Sequence, residues 1–278
     1  MFELPEYVTL ARQMAERLAG RRIADGTLGN SPHKFVWYNR KPDEFAAIVR
    51  GKTAGTAYSR GRWLFIPIQP GYVLVFGECG GRIILHDSAA HMPKKYHLSL
   101  RFEDGGCLSA TTQMWGAMEL FEEGKERERQ YIKGMRATPA DPEFSPEYLS
   151  ALIGECIREG ARSVKGLLTQ DQLIPGLGNS IAQDIMFNAR LHPKRPLSGL
   201  GEAHIERLHR AIVDTVAEAV RLGGRNDETD LLGNPGGYAR KMDKSAAGKP
   251  CPACGTTVEK IAYLGGACYF CPVCQRTG

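Results

Sequence analysis

The residues with the clearest chemistry lie near the C-terminal end, where five of the eight cysteines crowd together as Cys251, Cys254, Cys268, Cys271 and Cys274. Cys251-Pro-Ala-Cys254 and Cys271-Pro-Val-Cys274 form two C-x-x-C knuckles 16 residues apart. That spacing lets four thiolates converge tetrahedrally on one Zn2+ ion. Four sulfurs leave no open coordination position, so the expected zinc is structural. Between the knuckles, Gly255, the run Val258 to Tyr263, and Gly265-Gly266 predict a β-hairpin. A disulfide pairing suits a reducing compartment poorly, and a redox C-x-x-C needs only one pair beside a βαβ unit. Cys268 falls off the knuckle spacing and reads as a packing residue.

A second constellation is Leu173-Ile174-Pro175-Gly176-Leu177-Gly178-Asn179, set between two helical segments. Asn179 is placed as an N-cap, and backbone N–H groups at a helix start form an anion site to which its amide adds a donor. The same residues also serve as an ordinary helix-to-helix turn. Lys94 and Lys95 with His91 make a small basic patch. His33, Trp37 and Tyr38 with Arg40 could line a groove, but an aromatic cluster between strands reads as core. His86 and His97 lack metal-ligand spacing.

The elements that must position these residues are legible in outline. Leu4, Val8, Ala11, Met14, Ala15 and Leu18 recur at helical spacing up to Gly20, predicting one amphipathic helix. From Ile23 to Leu120 the texture becomes short strands, among them Trp63 to Ile68, Tyr72 to Phe76, Arg82 to Leu85, Tyr96 to Phe102 and Cys107 to Ala110, broken by Pro70-Gly71, Gly80-Gly81 and Asp104-Gly105-Gly106. This predicts a β-sandwich or barrel. Residues 139–146, rich in Pro and Asp, read as a linker. Helices follow over Pro146 to Glu159, Ser163 to Thr169, Asn179 to Ala189 and Glu202 to Leu222. The expected α+β organisation is a helix and β-sandwich domain over 1–138, the linker, a helical domain over 147–247 and a zinc finger over 248–278.

The chain has 278 residues and a net charge of +5, which permits a polyanionic partner without demonstrating one. No apolar run approaches the roughly 18 residues of a membrane span. The first residues, with Glu3 and Glu6, do not resemble a secretory signal. A cytoplasmic location is expected.

Three motifs in order resemble the formamidopyrimidine-DNA glycosylase and endonuclease VIII family. They are Glu3-Leu4-Pro5-Glu6, the segment Gln170 to Asn179 with Ile181, Ala182, Phe187, Ala189, His192 and Pro193, and the finger Cys251 to Gln275. The middle motif is similar to the helix-two-turns-helix of that family. The resemblance implies a monomeric base-excision-repair enzyme acting on double-stranded DNA with a damaged base or abasic site. It implies attack by the N-terminal amine, proton transfer at the sugar by Glu3, orientation of the amine by Glu6, and AP lyase activity. An α-amino group, with a pKa of about 8 against about 10.4 for lysine, carries a larger nucleophilic fraction at neutral pH by roughly several hundred-fold.

The departures fall on those same positions. The family nucleophile is a proline exposed by methionine removal, and here Phe2 follows Met1, which makes the Met1 amine the candidate. Alternatively, Glu3 activates water and the lyase step is lost. The hairpin arginine that grips phosphate in the family corresponds to Gly266, and the phosphate-binding lysine corresponds to Arg62. The loop that fills the gap left by a displaced base reads Gln113-Met114-Trp115, offering Gln113 to the orphaned base and Trp115 as a wedge or a core residue. Phe2 and Gly266 also suit a scaffold that binds damaged DNA without turning it over.

Overall fold

In the computed structural model, which describes residues 1–31, 33–160 and 162–277, two compact units form. The first comprises Met1–Met135 together with Leu222–Tyr238, and the second Arg136–Arg221 together with Ala239–Gly278.

The first unit begins with α1 (Leu4–Leu18), whose limits coincide with the apolar periodicity. β1 (Ile23–Leu28), β2 (Val36–Trp37), α2 (Pro42–Val49), β3 (Thr53–Ala54), β4 (Tyr58–Arg60), β5 (Trp63–Gln69), β6 (Tyr72–Gly77), β7 (Gly81–His86), β8 (Leu98–Phe102), β9 (Cys107–Thr112) and β10 (Gly116–Glu122) follow. They make a four-stranded sheet ordered β1-β8-β9-β7 and a six-stranded sheet ordered β2-β10-β6-β5-β3, with β4 pairing β5. Helix α2 was not foreseen; Pro42 opens it, but eight residues are too few for a periodicity to stand out.

Inner faces of both sheets and the apolar face of α1 share one core, in which Leu10, Met14, Leu64, Ile66, Phe76, Leu100 and Leu108 are fully buried. β5 shows the period of two at work. Leu64, Ile66 and Ile68 join this core, whereas Trp63 and Phe65 turn to the other face with Val73, Val75 and Ile132.

The second unit contains α3 (Pro146–Glu159), α4 (Val164–Thr169), α5 (Asn179–Asn188), α6 (Glu202–Arg221) and the hairpin β11 (Glu259–Tyr263) and β12 (Gly266–Phe270). Ser145 and Ser163 cap α3 and α4 by accepting from Tyr148 N and Gly166 N. The cap of α5 is Gly178, and Asn179 is its first helical residue, which corrects the N-cap expectation. Asn179 is instead tied sideways, its amide donating to the Ala267 carbonyl at 3.3 Å. The segment after α6, read from its polar composition as part of the helical domain, returns to the first unit at Leu222–Tyr238. Leu231, fully buried in the sandwich core, anchors it there, and its amide bonds the Gln13 side chain at 2.9 Å.

Candidate active site

Helix α1 starts beneath a buried ionic cluster. Glu3 occupies the N-cap and Glu6 the third helical position, and each side chain bonds the other's backbone in a capping box, with Glu3 N donating to Glu6 Oε2 at 2.8 Å. This arrangement satisfies two orphan amides of the helix end and places carboxylates at its positive pole. Both side chains are almost wholly buried, so the pair needs a buried cation.

That cation is Arg225, one of the largest fully buried side chains in the protein. Its Nη2 donates to Glu6 Oε2 at 2.8 Å and to the Met1 carbonyl at 2.7 Å, and its Nη1 lies 3.8 Å from Glu3 Oε1. Burial opposes its charge, but the surrounding Glu3, Glu6 and Glu228 carboxylates raise its pKa above the usual arginine value. The backbone amide of Arg225 adds a bond to Glu6 Oε1 at 2.8 Å. Gly224 permits that approach, since it holds φ +97° and a Cβ there would stand 3.2 Å from Glu6 Cγ.

The Met1 ammonium donates to Glu228 Oε1 at 2.7 Å, and Arg225 Nη2 reaches the same oxygen at 3.5 Å. Glu6 is therefore linked to the terminus through Arg225, and the direct partner of the amine is Glu228. Sequence reasoning missed both residues because they lie in a polar stretch without periodicity. The only local signal was the Gly223-Gly224 pair ahead of them.

Phe2 is fully buried, edge-on to Tyr7 with ring centroids 5.9 Å apart, and its amide donates to the Cys79 carbonyl at 3.0 Å. Its ring is a core element, and Met1 is the residue that projects from it. Gly80 leaves room for this, as a Cβ there would lie 3.0 Å from Met1 Cα.

Arg62, at the β4–β5 turn, approaches the same place from another side, with Nη1 3.1 Å from Glu78 Oε2 and 3.9 Å from Met1 Sδ. Glu78 is held at φ +51°, an uncommon conformation for a non-glycine residue. Beside Met1 opens a cavity of about 570 Å3 walled by Trp37, Trp63, Trp115 and Tyr131, with Glu78 and Arg129 as its charged members.

Trp115 is not a core residue: it stays 41% exposed, in parallel stacking with Trp37 at 5.6 Å and against Phe35 at 4.7 Å. Trp37, expected in the core, is 47% exposed, because two-residue β2 lies at a sheet edge and its indole meets the likewise exposed Trp115 ring instead of the core. Gln113 is exposed on the same loop, and the Gln113 amide bonds the Gly80 carbonyl at 2.7 Å. Beneath the loop, Thr112 N donates to His97 Nδ1 at 2.9 Å, and burial with nearby His33 lowers the His97 pKa. Lys94, Lys95 and His91 are exposed.

In the second unit the Cys251, Cys254, Cys271 and Cys274 sulfurs all lie within 4.8 Å of one another. A tetrahedral ion with sulfur ligands at about 2.3 Å needs sulfurs roughly 3.8 Å apart, so the four cysteines fit a metal ion. Cys268 is buried outside that set. Gly266 opens β12 close to α5: a Cβ would meet Asn179 Oδ1 at 3.2 Å and Lys165 Nζ at 3.4 Å. Lys165 is itself buried, and its ammonium donates to the Tyr263 carbonyl. Gln183 completes the junction, donating to the Ala267 carbonyl at 2.9 Å and accepting from Tyr269 N at 3.1 Å.

Family models match over most of the length, the formamidopyrimidine-DNA glycosylase N-terminal domain over residues 1–114 and the formamidopyrimidine-DNA glycosylase H2TH domain over 137–230. A formamidopyrimidine-DNA glycosylase of Symbiobacterium thermophilum is 32% identical over 99% of this chain and 89% of its own length. One from Bacillus cereus is 29% identical over 99% of both chains. Among solved structures, Lactococcus lactis Fpg in complex with abasic-site DNA superimposes with a TM-score of 0.84 at 26% identity, covering 99% of each chain. Fpg from Thermus thermophilus superimposes with a TM-score of 0.82 at 27% identity over the same shares. Among the described residues no helix is long and apolar enough to cross a membrane.

Proposed function

Because this chain belongs to the formamidopyrimidine-DNA glycosylase family, we propose that it is a base-excision-repair DNA N-glycosylase whose nucleophile is the amine of a retained Met1. Its partner is double-stranded DNA carrying a damaged base or an abasic site. The supporting observation is the terminal ammonium held 2.7 Å from Glu228 while its own carbonyl is gripped by buried Arg225. In this reading Phe2 is a core residue and Met1 is the one presented to DNA.

In this reading Glu228 takes a proton from the Met1 ammonium and frees the nitrogen lone pair. The nitrogen attacks C1′ of the deoxyribose, and the glycosidic electron pair leaves with the base. Glu3 accepts the proton that the nitrogen sheds on attack and returns it at the sugar ring oxygen, and the C1′–O4′ bond breaks to give a protonated imine linking Met1 to the sugar. Elimination of the 3′ phosphate from that imine is the AP lyase step.

Arg62 meets a phosphate beside the lesion, with a planar fork in place of a lysine point charge. Gln113 faces the orphaned base, and Trp115 supplies an aromatic face beside it. Asn179 at the start of α5 contributes a second phosphate contact. Gly266 contributes no charge to phosphate. The Cys251, Cys254, Cys271 and Cys274 thiolates hold a structural Zn2+, which fixes the hairpin and takes no part in the reaction. The need to keep these four thiols reduced suits a cytoplasmic enzyme.

Borohydride trapping on abasic and base-damaged duplexes, with peptide mass mapping, tests the mechanism. An adduct on the Met1 peptide is expected. Base release without any adduct overturns amine catalysis and leaves water activated by Glu3.

A further inference from the structure

Elimination of the 3′ phosphate from the imine needs a base for a proton on C2′, and the carboxylates already assigned are engaged elsewhere. Glu3 and Glu6 are buried at the start of α1, with 6% and 3% of their side chains exposed, and Glu228, 13% exposed, holds the Met1 ammonium. Glu78 differs from all three. Its side chain is 35% exposed, and it is the carboxylate that stands with Met1 on the cavity wall.

The backbone fixes Glu78 relative to the terminus. Phe2 N donates to the Cys79 carbonyl at 3.0 Å, so the residue after Met1 is bonded to the residue after Glu78, and Cys79 N donates to the Tyr7 hydroxyl at 2.8 Å. On the other side Gly77 lies against the Trp63 ring, where a Cβ would stand 1.9 Å from Cζ3. Between these anchors Glu78 keeps φ +51°, a conformation that costs a non-glycine residue free energy and persists only where the surroundings enforce it. Such strain gathers at functional sites. Glu78 N donates to the Arg62 carbonyl at 3.3 Å, and Arg62 Nη1 donates to Glu78 Oε2 at 3.1 Å. Among the described residues Oε1 accepts no hydrogen bond.

We infer that Glu78 is the base of the lyase step, a catalytic residue that removes a proton from C2′ of the sugar joined to Met1. The inference rests on the reading of Met1 as nucleophile. The C2′–H electron pair becomes a C1′=C2′ bond while the iminium pair withdraws to the Met1 nitrogen, which gives an enamine. The nitrogen pair then re-forms the imine, the C1′=C2′ pair moves to C2′=C3′, and the C3′–O bond breaks with its electrons going to the phosphate. Arg62, bonded to Glu78, meets that charge, and the proton taken by Glu78 passes to the departing phosphate.

The test uses the full-length zinc-loaded protein and a duplex with one natural abasic site, followed in single turnover by two readouts. Borohydride trapping reports the imine, which forms before Glu78 acts, and strand nicking without borohydride reports the elimination. Glu78→Gln keeps an acceptor for Arg62 and should trap at a rate within about twofold of the unaltered protein while nicking about 100-fold more slowly. Glu78→Gly suits the positive φ of this position, so its loss of nicking does not come from misfolding. Sodium formate should restore nicking in Glu78→Gly where sodium chloride of equal concentration does not. Formate without effect overturns the proposal. Trapping that falls in step with nicking in Glu78→Gln also overturns it, since Glu78 then only holds Met1 or Arg62 in place. Normal trapping with unchanged nicking in Glu78→Gln removes Glu78 as the base and leaves the Met1 amine as nucleophile, whereas an unaltered protein that gives no adduct removes amine catalysis and this inference with it.

Discussion

The terminus of the first unit and the hairpin of the second both depart from their family at a residue expected to touch DNA, and they depart in opposite ways. At the terminus, Phe2 stands where the family resemblance places the reactive residue, and polar partners surround the Met1 amine. Arg225 bonds the Met1 carbonyl and Glu6, and Glu228 bonds the ammonium. At the hairpin, Gly266 takes the place of an arginine, and the nearest cation, Lys165, is already occupied by the Tyr263 carbonyl. One position lies among groups that hold the Met1 amine, and the other lies beside a cation that is already engaged. The terminus is therefore where chemistry is expected to persist, and the hairpin is where DNA affinity is expected to be weaker than with an arginine at position 266.

The largest effect that would sharpen this contrast is removal of metal. A four-thiolate site in a hairpin this small contributes on the order of 10 kcal/mol to its folding. Chelation should therefore release amide protection across 248–277 in hydrogen exchange while leaving α1 and the sandwich protected. Loss of protection in α1 as well would show that the two regions are not independent.

Next is Arg225→Met, which leaves Glu3 and Glu6 buried without their cation. Breaking a buried pair in this way costs about 3–5 kcal/mol, to be read from urea unfolding of the first unit. A cost under about 1 kcal/mol would mean that water reaches the carboxylates and that the cluster is not a buried ionic core.

Glu228→Gln keeps the shape of the amine's partner and removes its proton acceptor. Borohydride trapping should slow by about 100-fold, the lower range for general base catalysis. An unchanged trapping rate would assign the proton to water and reduce Glu228 to a tether.

The smallest effect concerns the loop under Gln113 and Trp115. His97 accepts the Thr112 amide through Nδ1, so the folded protein needs it neutral, and its pKa is lowered from 6.5. Above pH 6.5 neither state binds the proton and this contribution is complete. As the pH falls below 6.5 the unfolded chain is protonated first, so stability declines until the pH passes the lowered folded value. Urea midpoints at pH 7.5 and 5.5 should differ less in His97→Asn, whose side-chain oxygen can accept the same bond at either pH.

Much of this molecule could be read directly from the chain. The limits of α1 followed from Leu4, Val8, Ala11, Met14, Ala15 and Leu18, and the four-cysteine cluster followed from two knuckles, since each depends on spacing within a short segment. The same local logic failed for Trp37, assigned to the core by its aromatic neighbours, because burial at a sheet edge depends on what lies above the strand. It also failed for Asn179, one residue inside the helix it was expected to cap.

What the sequence by itself determined were the segments whose periodicity, turn signals or ligand spacing are self-sufficient: the terminal helix, the strand at Trp63 to Ile68, the four-cysteine finger and the family motifs. Only the tertiary structure decided what answers the charge on Glu6 and the Met1 amine. Arg225 and Glu228 lie more than 200 residues away from those groups along the chain. A buried ion pair is specified by proximity in three dimensions and by the exclusion of water, and neither leaves a period in the sequence.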